Sequence, residues 1–371
     1  MAFGKPKSRV SPIGIDFGAD SIKLLQIVPG DPPELVALGA ATVPEEARTD
    51  LQTRQAFLED ALPSLLRRHQ FKSRRVMLST PAFQTLVHNL LIGRGEPKEI
   101  DGMVDLALRE RLGVEPSRMV IRNYPGAEVF RDGSPRQEVI TFAAGRDIVM
   151  RYVELANRLK LEVVGMHCEA DCVLKAFGHL NAARVVEDRE RPVAFVDLGA
   201  ATSKIIVARG GRMLLAKTVH AGGDQWTRKL ATEQNMGFAE ARLARVAEAS
   251  GGGEEGGGAA TLSPTAESAT SPLDCETTEC LIDELRMTFR HYDQRYPEQP
   301  IEKLIFIGGE ANRLSTCQQL ARAVHVPAQL GDPFARLSRM NAGAAPLGVD
   351  LAQPQPGWAV ALGLCLNEAN L

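Results

Sequence analysis

The chain of 371 residues is 44% apolar and 24% charged, with a formal net charge of −3. That length exceeds one ordinary core, so two domains are expected. Near-neutral charge argues against a nucleic-acid binder, which carries a basic surplus, and no apolar run approaches the roughly 20 residues that span a bilayer.

The opening "MAFGKPKSRVSP" has cations with no apolar stretch behind them, so it is not a secretory signal, and Ala2 excludes the myristoylation pattern. Phe3, Lys5, Lys7 and Arg9 read as a solvated terminus rather than a lipid contact. "IGIDFG" reads as a short buried strand ending in a turn. "SIKLLQIV" and "ELVALGAATV" are two more strands, joined through the turn signal "PGDPP". "RQAFLEDALPSLLRRHQF" has helical spacing, with Pro63 expected to kink it. "RRVMLSTP" and "TLVHNLLI" read as strands and "EPKEIDGMVDLALRERL" as an amphipathic helix. "MVIRNYPGAEVF" and "QEVITFAAG" are strands around the hairpin turn "RDGSPR". A helix over "RDIVMRYVELANRLKL" and a strand over "VVGMHC" follow.

"PVAFVDLG" then opens a second unit: strand, a turn at Gly210-Gly211, the strand "RMLLAKTVH", and a glycine pair running into a helix in "AGGDQWTRKLATEQ". "FAEARLARVAEA" reads as a helix. The glycine-rich stretch between Ala249 and Pro272 buries too little apolar surface to fold and is expected to be a disordered insertion. "CETTECLIDELRMTFRHYDQRYP" is a long helix, "KLIFIGGEANRLSTCQQLARAV" a strand, Gly-Gly turn and helix, and "GWAVALGLCLNEA" an apolar packed helix. Six cysteines in so long a chain make no disulfide framework. Cys168 with Cys172, and Cys275 with Cys280, read as buried thiols rather than a metal site, and a cytoplasmic location follows.

The informative feature is a repeat. "DFGADSIKLL" at 16–25 returns without a gap as "DLGAATSKII" at 197–206. Asp16 falls on Asp197, Gly18 on Gly199, Ala19 on Ala200, Ser21 on Thr202 and Lys23 on Lys204. A strand ending in Asp-x-Gly puts a carboxylate where the chain turns, and the glycine lets backbone N–H groups approach an anion. The Ser/Thr and Lys that follow add donors. One copy alone reads as well as a hairpin with a turn aspartate. Two in-register copies point to turns that hold a polyphosphate from both sides, with the aspartates holding Mg2+ through waters. The glycine pair of "LIFIGGEANRL" leaves room for a base or ribose against the backbone, and that of "HAGGDQW" brings bare backbone to a helix N-terminus, where phosphate is favoured. There is no GxxxxGK[ST] and no GxGxxG after a strand.

This order of elements resembles the actin-like ATPase superfamily of actin, sugar kinases, heat-shock chaperones and FtsA. Within it, the segments "IGIDFGADSIKLLQI", "VAFVDLGAATSKIIVARGGRMLLAKTVHAGGDQWTRKLA", "LIFIGGEANRLSTCQQLARAVHVPAQLGDPF" and "PGWAVALGLCL" look most like the PilM family of type IV pilus assembly. The resemblance implies an α/β fold: the actin-like (ribonuclease H-like) two-domain ATPase fold, with a small α+β module inserted in the first domain. The implied divisions are 1–83 and 146–191 for the first domain, 84–145 for the inserted module, 192–340 for the second domain, with its insertion at 250–272, and 341–371 for a C-terminal helix returning to the first.

It also implies ATP and Mg2+ as cofactors, with Asp16 and Asp197 placing the metal. Gly18, Ala19, Lys23, Gly199, Ala200 and Thr202 would line the phosphates, and Gly222, Gly223, Gly308 and Gly309 would flank phosphate and nucleoside. Glu169 would position the attacking water, although a first-turn helix carboxylate is an equal reading of that residue. Arg242 and Arg245 stand near a position where relatives carry a lysine, and otherwise read as a solvated helix face. The function implied is an ATP-binding scaffold with slow or absent hydrolysis, cytoplasmic and peripheral at the inner membrane. It would hold the N-terminal tail of a PilN-like membrane protein, other pilus or secretion platform proteins and possible further copies of itself, and no nucleic acid. Nucleotide state would alter domain closure and so partner choice. The alternatives are an FtsA-like division protein, a small-molecule kinase of the same superfamily, and a binding module that has lost nucleotide.

Overall fold

The structure is a computed structural model and describes residues 10–131, 133–182, 191–251, 261–262, 276–339 and 349–371. It is built on β1 (Ile13–Phe17), which is buried at every position because both of its faces are covered. β2 (Ser21–Val28) pairs with it antiparallel, β3 (Glu34–Thr42) pairs antiparallel with β2, and β4 (Arg75–Thr80) lies parallel on its other side. The helical turn α1 (Glu46–Thr49) and helix α2 (Leu51–Arg68) come between β3 and β4. The Asp50 side chain caps α2 by accepting from the Thr53 N–H at 2.6 Å. The helix runs through Pro63, where a kink was expected; buried Leu58, Ala61, Leu62 and Leu65 anchor it on both sides of the lost hydrogen bond.

Residues 85–145 form a separate antiparallel sheet of β5 (Thr85–Gly93), β6 (Met119–Arg131) and β7 (Ser134–Gly145), in the order β5-β7-β6. Helix α3 (Pro97–Leu112) covers it with Ile100, Val104 and Leu108 against Leu90, Ile92 and Val139. This helix starts on Pro97 behind a Glu96/Glu99 capping box and ends on Gly113 at φ 62°, a conformation suited to glycine. Helix α4 (Arg146–Arg158) then leads to β8 (Glu162–Cys168), parallel to β4, and α5 (Glu169–Ala176).

The second sheet repeats this plan. β9 (Val193–Leu198) and β10 (Ser203–Arg209) are antiparallel, as are β10 and β11 (Arg212–Val219), whose turn has Gly210 and Gly211 both at positive φ. After α6 (Gly223–Glu233), α7 (Phe238–Gly251), the two-residue strand β12 (Thr261–Leu262) and α8 (Glu276–Arg295), β13 (Lys303–Ile307) pairs parallel with β9. Beyond α9 (Leu314–Val324), β14 (Ala328–Leu330) is parallel to β13 and antiparallel to β12. β15 (Ser338–Arg339) returns to the first sheet beside β3. The strand orders are β15-β3-β2-β1-β4-β8 and β11-β10-β9-β13-β14-β12, so the same five-strand pattern occurs in both sheets. Of the expected insertion, 252–260 and 263–272 lie outside the described residues, as do Phe3, Lys5, Lys7 and Arg9.

Helix α10 (Ala359–Leu366) is buried from Ala359 to Cys365, as expected for an apolar core helix. It packs on β1 and α5. Gly14 and Gly363 allow the close approach: a Cβ on Gly14 would stand 2.7 Å from the Ala361 carbonyl oxygen, and one on Gly363 1.9 Å from that of Cys172. One apolar cluster, including Phe177, Phe195, Ile305 and Trp358, runs from this helix pair into the second sheet. Cys168 and Cys172 are buried, Cys275 lies outside the described residues, and Cys280 is exposed on α8, correcting its reading as a buried thiol. No helix among the described residues is long and apolar enough to cross a membrane. Gly363→Ala is expected to cost about 3 kcal/mol in urea unfolding, as for an overpacked core.

Candidate functional site

The two Asp-x-Gly turns have one geometry. Across β1 and β2, Asp16 stands opposite Lys23; across β9 and β10, Asp197 stands opposite Lys204. The glycine that follows each strand is required by space. A Cβ on Gly18 would lie 2.8 Å from the Ser21 carbonyl oxygen, and one on Gly199 2.6 Å from that of Thr202. Ala19 and Ala200 occupy the tips, half-buried, and Thr202 is buried.

Between the turns lies a buried ionic cluster. Lys204 Nζ is 2.9 Å from Asp197 Oδ2 and 2.5 Å from Glu169 Oε2. The other Glu169 oxygen accepts from the Ala82 N–H at 2.8 Å, which fixes the first turn of α5 against the β4–β5 connection. Asp16 accepts from Ser79 Oγ at 3.2 Å. Burial pushes the Asp16 carboxyl up to about 6; Lys23 opposes this, Glu169 adds to it, Lys204 opposes and Asp197 adds. Burial works against the charge of Lys204, but Asp197 and Glu169 outweigh it and hold its pKa above the ordinary lysine value. An ammonium seated on Asp197 works against the expected magnesium position there. Lys204 was noted in the sequence only as the counterpart of Lys23, and the repeat itself was the signal for its place.

The glycine pairs close two further sides. Gly308, at φ 93°, has its Cα packed on β9: a Cβ would be 2.3 Å from the Leu198 carbonyl oxygen and 2.4 Å from Asp197 Oδ1. Gly309 has open space beside it. Gly222 and Gly223 brace the second turn. The N–H groups of Gly223 and Asp224 donate to the Gly199 and Ala200 carbonyls at 3.0 and 2.9 Å, so these two donors are spent on the turn and not bare, as the sequence had suggested. Arg245, read as solvated, is buried, and donates to the Gly223 carbonyl, Thr227 Oγ1 and Glu310 Oε2 at 2.8, 2.7 and 2.6 Å.

A second ionic network crosses the cleft rim, between segments far apart in the sequence. Arg48, buried on α1, donates to Asp224 at 2.6 Å and also to Asp20. Arg242 donates to both Asp20 oxygens at 3.0 and 2.8 Å, so it too is paired rather than simply solvated. Asp20 and Arg48 belong to the first sheet's side, Asp224 and Arg242 to the second's.

Duplicated sheets with matched turns at the strand ends define the actin-like fold. A family described as "Type IV pilus assembly protein PilM" matches residues 14–369, and the chain belongs to that family. No curated protein sequence matches it. The fold is similar to that of the "PilM-PilN type IV pilus biogenesis complex", with 18% identity, 96% of this chain and 98% of that one covered, and a TM-score of 0.74. Weaker likenesses include the ethanolamine utilization protein EutJ from Carboxydothermus hydrogenoformans (14% identity, 98% and 90% covered, TM-score 0.46). Another is MreB5 of Spiroplasma citri bound to ADP (11% identity, 96% and 95% covered, TM-score 0.45).

Removing Arg48 strands the buried Asp224 carboxylate, so Arg48→Ala is expected to lose about 3 kcal/mol of stability in denaturant titration. Asp16 gives a pH signature. Its folded pKa of about 6 lies above the unfolded 3.8, so the stability it contributes is present below pH 3.8 and lost as pH rises through 6. Asp16→Asn is therefore expected to be more stable than the parent at pH 7.5, by up to about 3 kcal/mol, with the gap closing at pH 4 in thermal melts.

Proposed function

We propose that this chain is a nucleotide-binding scaffold of the type IV pilus assembly platform, holding ATP between the two turns and hydrolysing it slowly or not at all. The observation that carries this is the pair of in-register turns, Asp16–Ser21 and Asp197–Thr202, with the Gly308 turn against Asp197 on a third side. Gly18 and Gly199 keep bulky side chains away from an anion, Thr202 adds a hydroxyl, and the space beside Gly309 suits a nucleoside. Slow turnover follows from Glu169: both of its oxygens are committed, to Lys204 and to the Ala82 N–H, which leaves it poorly placed to orient a water. Magnesium fits these residues less well, because the Lys204 ammonium already occupies Asp197 and Glu169. The divisions at 83, 145, 191 and 340 are part of this reading, as are a cytoplasmic location at the inner membrane and a role in twitching motility.

The partner in this reading is the N-terminal tail of a PilN-like membrane protein, since the similar solved structure is a PilM-PilN complex. In this reading the tail docks at a small groove between α2 and α4, lined by Leu51, Arg54, Gln55, Gln84, Ile148 and Tyr152. Arg54 also donates to the Phe17 and Gly18 carbonyls at 3.1 and 2.8 Å. The groove and the first turn thus share one buried guanidinium, a route by which nucleotide and tail sense one another. Calorimetry is expected to show ATP binding that Gly308→Ala weakens by roughly tenfold or more. A fluorescent tail peptide is expected to bind the parent and lose affinity for Leu51→Asp. Absence of ATP binding by the parent would overturn the nucleotide assignment, and equal peptide binding by Leu51→Asp would overturn the groove.

A further inference from the structure

Lys204 sits on a strand, and its position opposite Asp197 is set by the β9–β10 register. Two carboxylates meet its ammonium from two elements, Asp197 from β9 and Glu169 from α5, and Asp16 from β1 is near enough to feel their charge; each is no more than 7% exposed. Buried carboxylates at such a density need cationic charge among them. In a metal-dependent site a divalent ion supplies it, demanding oxygen ligands at about 2.1 Å in a regular arrangement. In this chain an ammonium supplies it, with oxygens of Asp197 and Glu169 at 2.9 and 2.5 Å and a side chain 12% exposed. A metal could bind the same oxygens only by expelling a buried, charged lysine from both partners.

We propose that Lys204 is a built-in cation standing where a divalent ion would otherwise sit, so that this chain binds nucleotide phosphate without divalent metal. This rests on the nucleotide reading given above. An ammonium has three N–H donors. Two go to Asp197 and Glu169, and the third is available to a phosphate oxygen held between the turns. Lysine thereby does the electrostatic part of a metal's work, and does not coordinate or activate water. Held by Lys204 and the Ala82 N–H, Glu169 stays out of chemistry, and the bound nucleotide serves as a structural ligand.

The test uses the full chain and has two arms. In the first, Mn2+ is titrated into nucleotide-free protein and followed by electron paramagnetic resonance. The parent is expected to bind none at this site. Lys204→Met and Lys204→Gln, checked for folding by circular dichroism, are expected to gain a bound Mn2+ that a further Asp197→Asn removes. In the second arm, calorimetry compares ATP in EDTA with ATP in excess magnesium. The parent's affinity is expected to agree within roughly twofold between the two, while the lysine variants become magnesium-dependent. Parent protein that binds Mn2+ in an Asp197-dependent manner would overturn the proposal. So would parent ATP affinity falling roughly tenfold or more in EDTA, or folded lysine variants that gain no Mn2+. If the parent binds no nucleotide in either buffer, the nucleotide assignment fails and with it the metal-free binding, while the Mn2+ arm still decides whether Lys204 holds the cation position.

Discussion

Charge buried between two sheets must be neutralised where it lies, and the ammonium of Lys204 does this for Asp197 and Glu169 at once. Taking each such ion out of water costs several kcal/mol, which only close pairing and further hydrogen bonds return. The pairing is possible because β9 and β10 keep one register, α5 starts at Glu169, and the Ala82 N–H holds the second Glu169 oxygen. If one of these elements shifted, a charge would be left buried without its partner. The cluster therefore ties the relative position of the two sheets to the geometry of the turns, while the apolar packing of α5 and α10 supplies bulk adhesion.

The rim network is a second layer with a different character. Arg48 and Arg242 bridge Asp20 and Asp224 across the cleft, and the pairing is partly open to water at Asp20, 31% exposed. In the nucleotide reading proposed above, a polyphosphate entering the cleft would carry the same sign as Asp20 and Asp224 and would compete with them for the same guanidiniums, which would couple binding to closure. Arg245 serves differently. Buried on α7, it holds the second turn, through Gly223, to the Gly-Gly-Glu segment, through Glu310. Together with Arg54 under the first turn, it gives each turn a guanidinium behind it.

Much of this was legible in the amino-acid sequence because the determinants are local. The repeat carries its own register, so Asp16 opposite Lys23 and Asp197 opposite Lys204 follow from a short pattern. The succession of strands and helices, the Gly210-Gly211 hairpin and the packed apolar helix at the C-terminus were readable for the same reason. The rim pairs were not, since Arg48 and Asp224 lie 176 positions apart and Asp20 and Arg242 lie 222 apart; an ion pair between distant segments leaves no periodicity. Arg245 was misread because an arginine on an amphipathic helix gives no sign of the carbonyl and carboxylate that await it inside. Pro63 does not end α2, since core contacts on both sides of it outweigh one missing hydrogen bond, and Cys280 failed to be buried because α8 turns that face to solvent. The glycine pair at 222–223 pointed to a site of close approach, but what comes close is the second turn's own backbone.

If the two turns act together on one ligand, both must respond when it binds. Hydrogen exchange of the full chain with and without ATP tests this most directly, because it reads both turns in one experiment. Slowed exchange is predicted in both 17–22 and 198–204, together with the Gly308-Gly309 turn. Protection confined to one turn, or to neither while ATP is bound elsewhere, would contradict it.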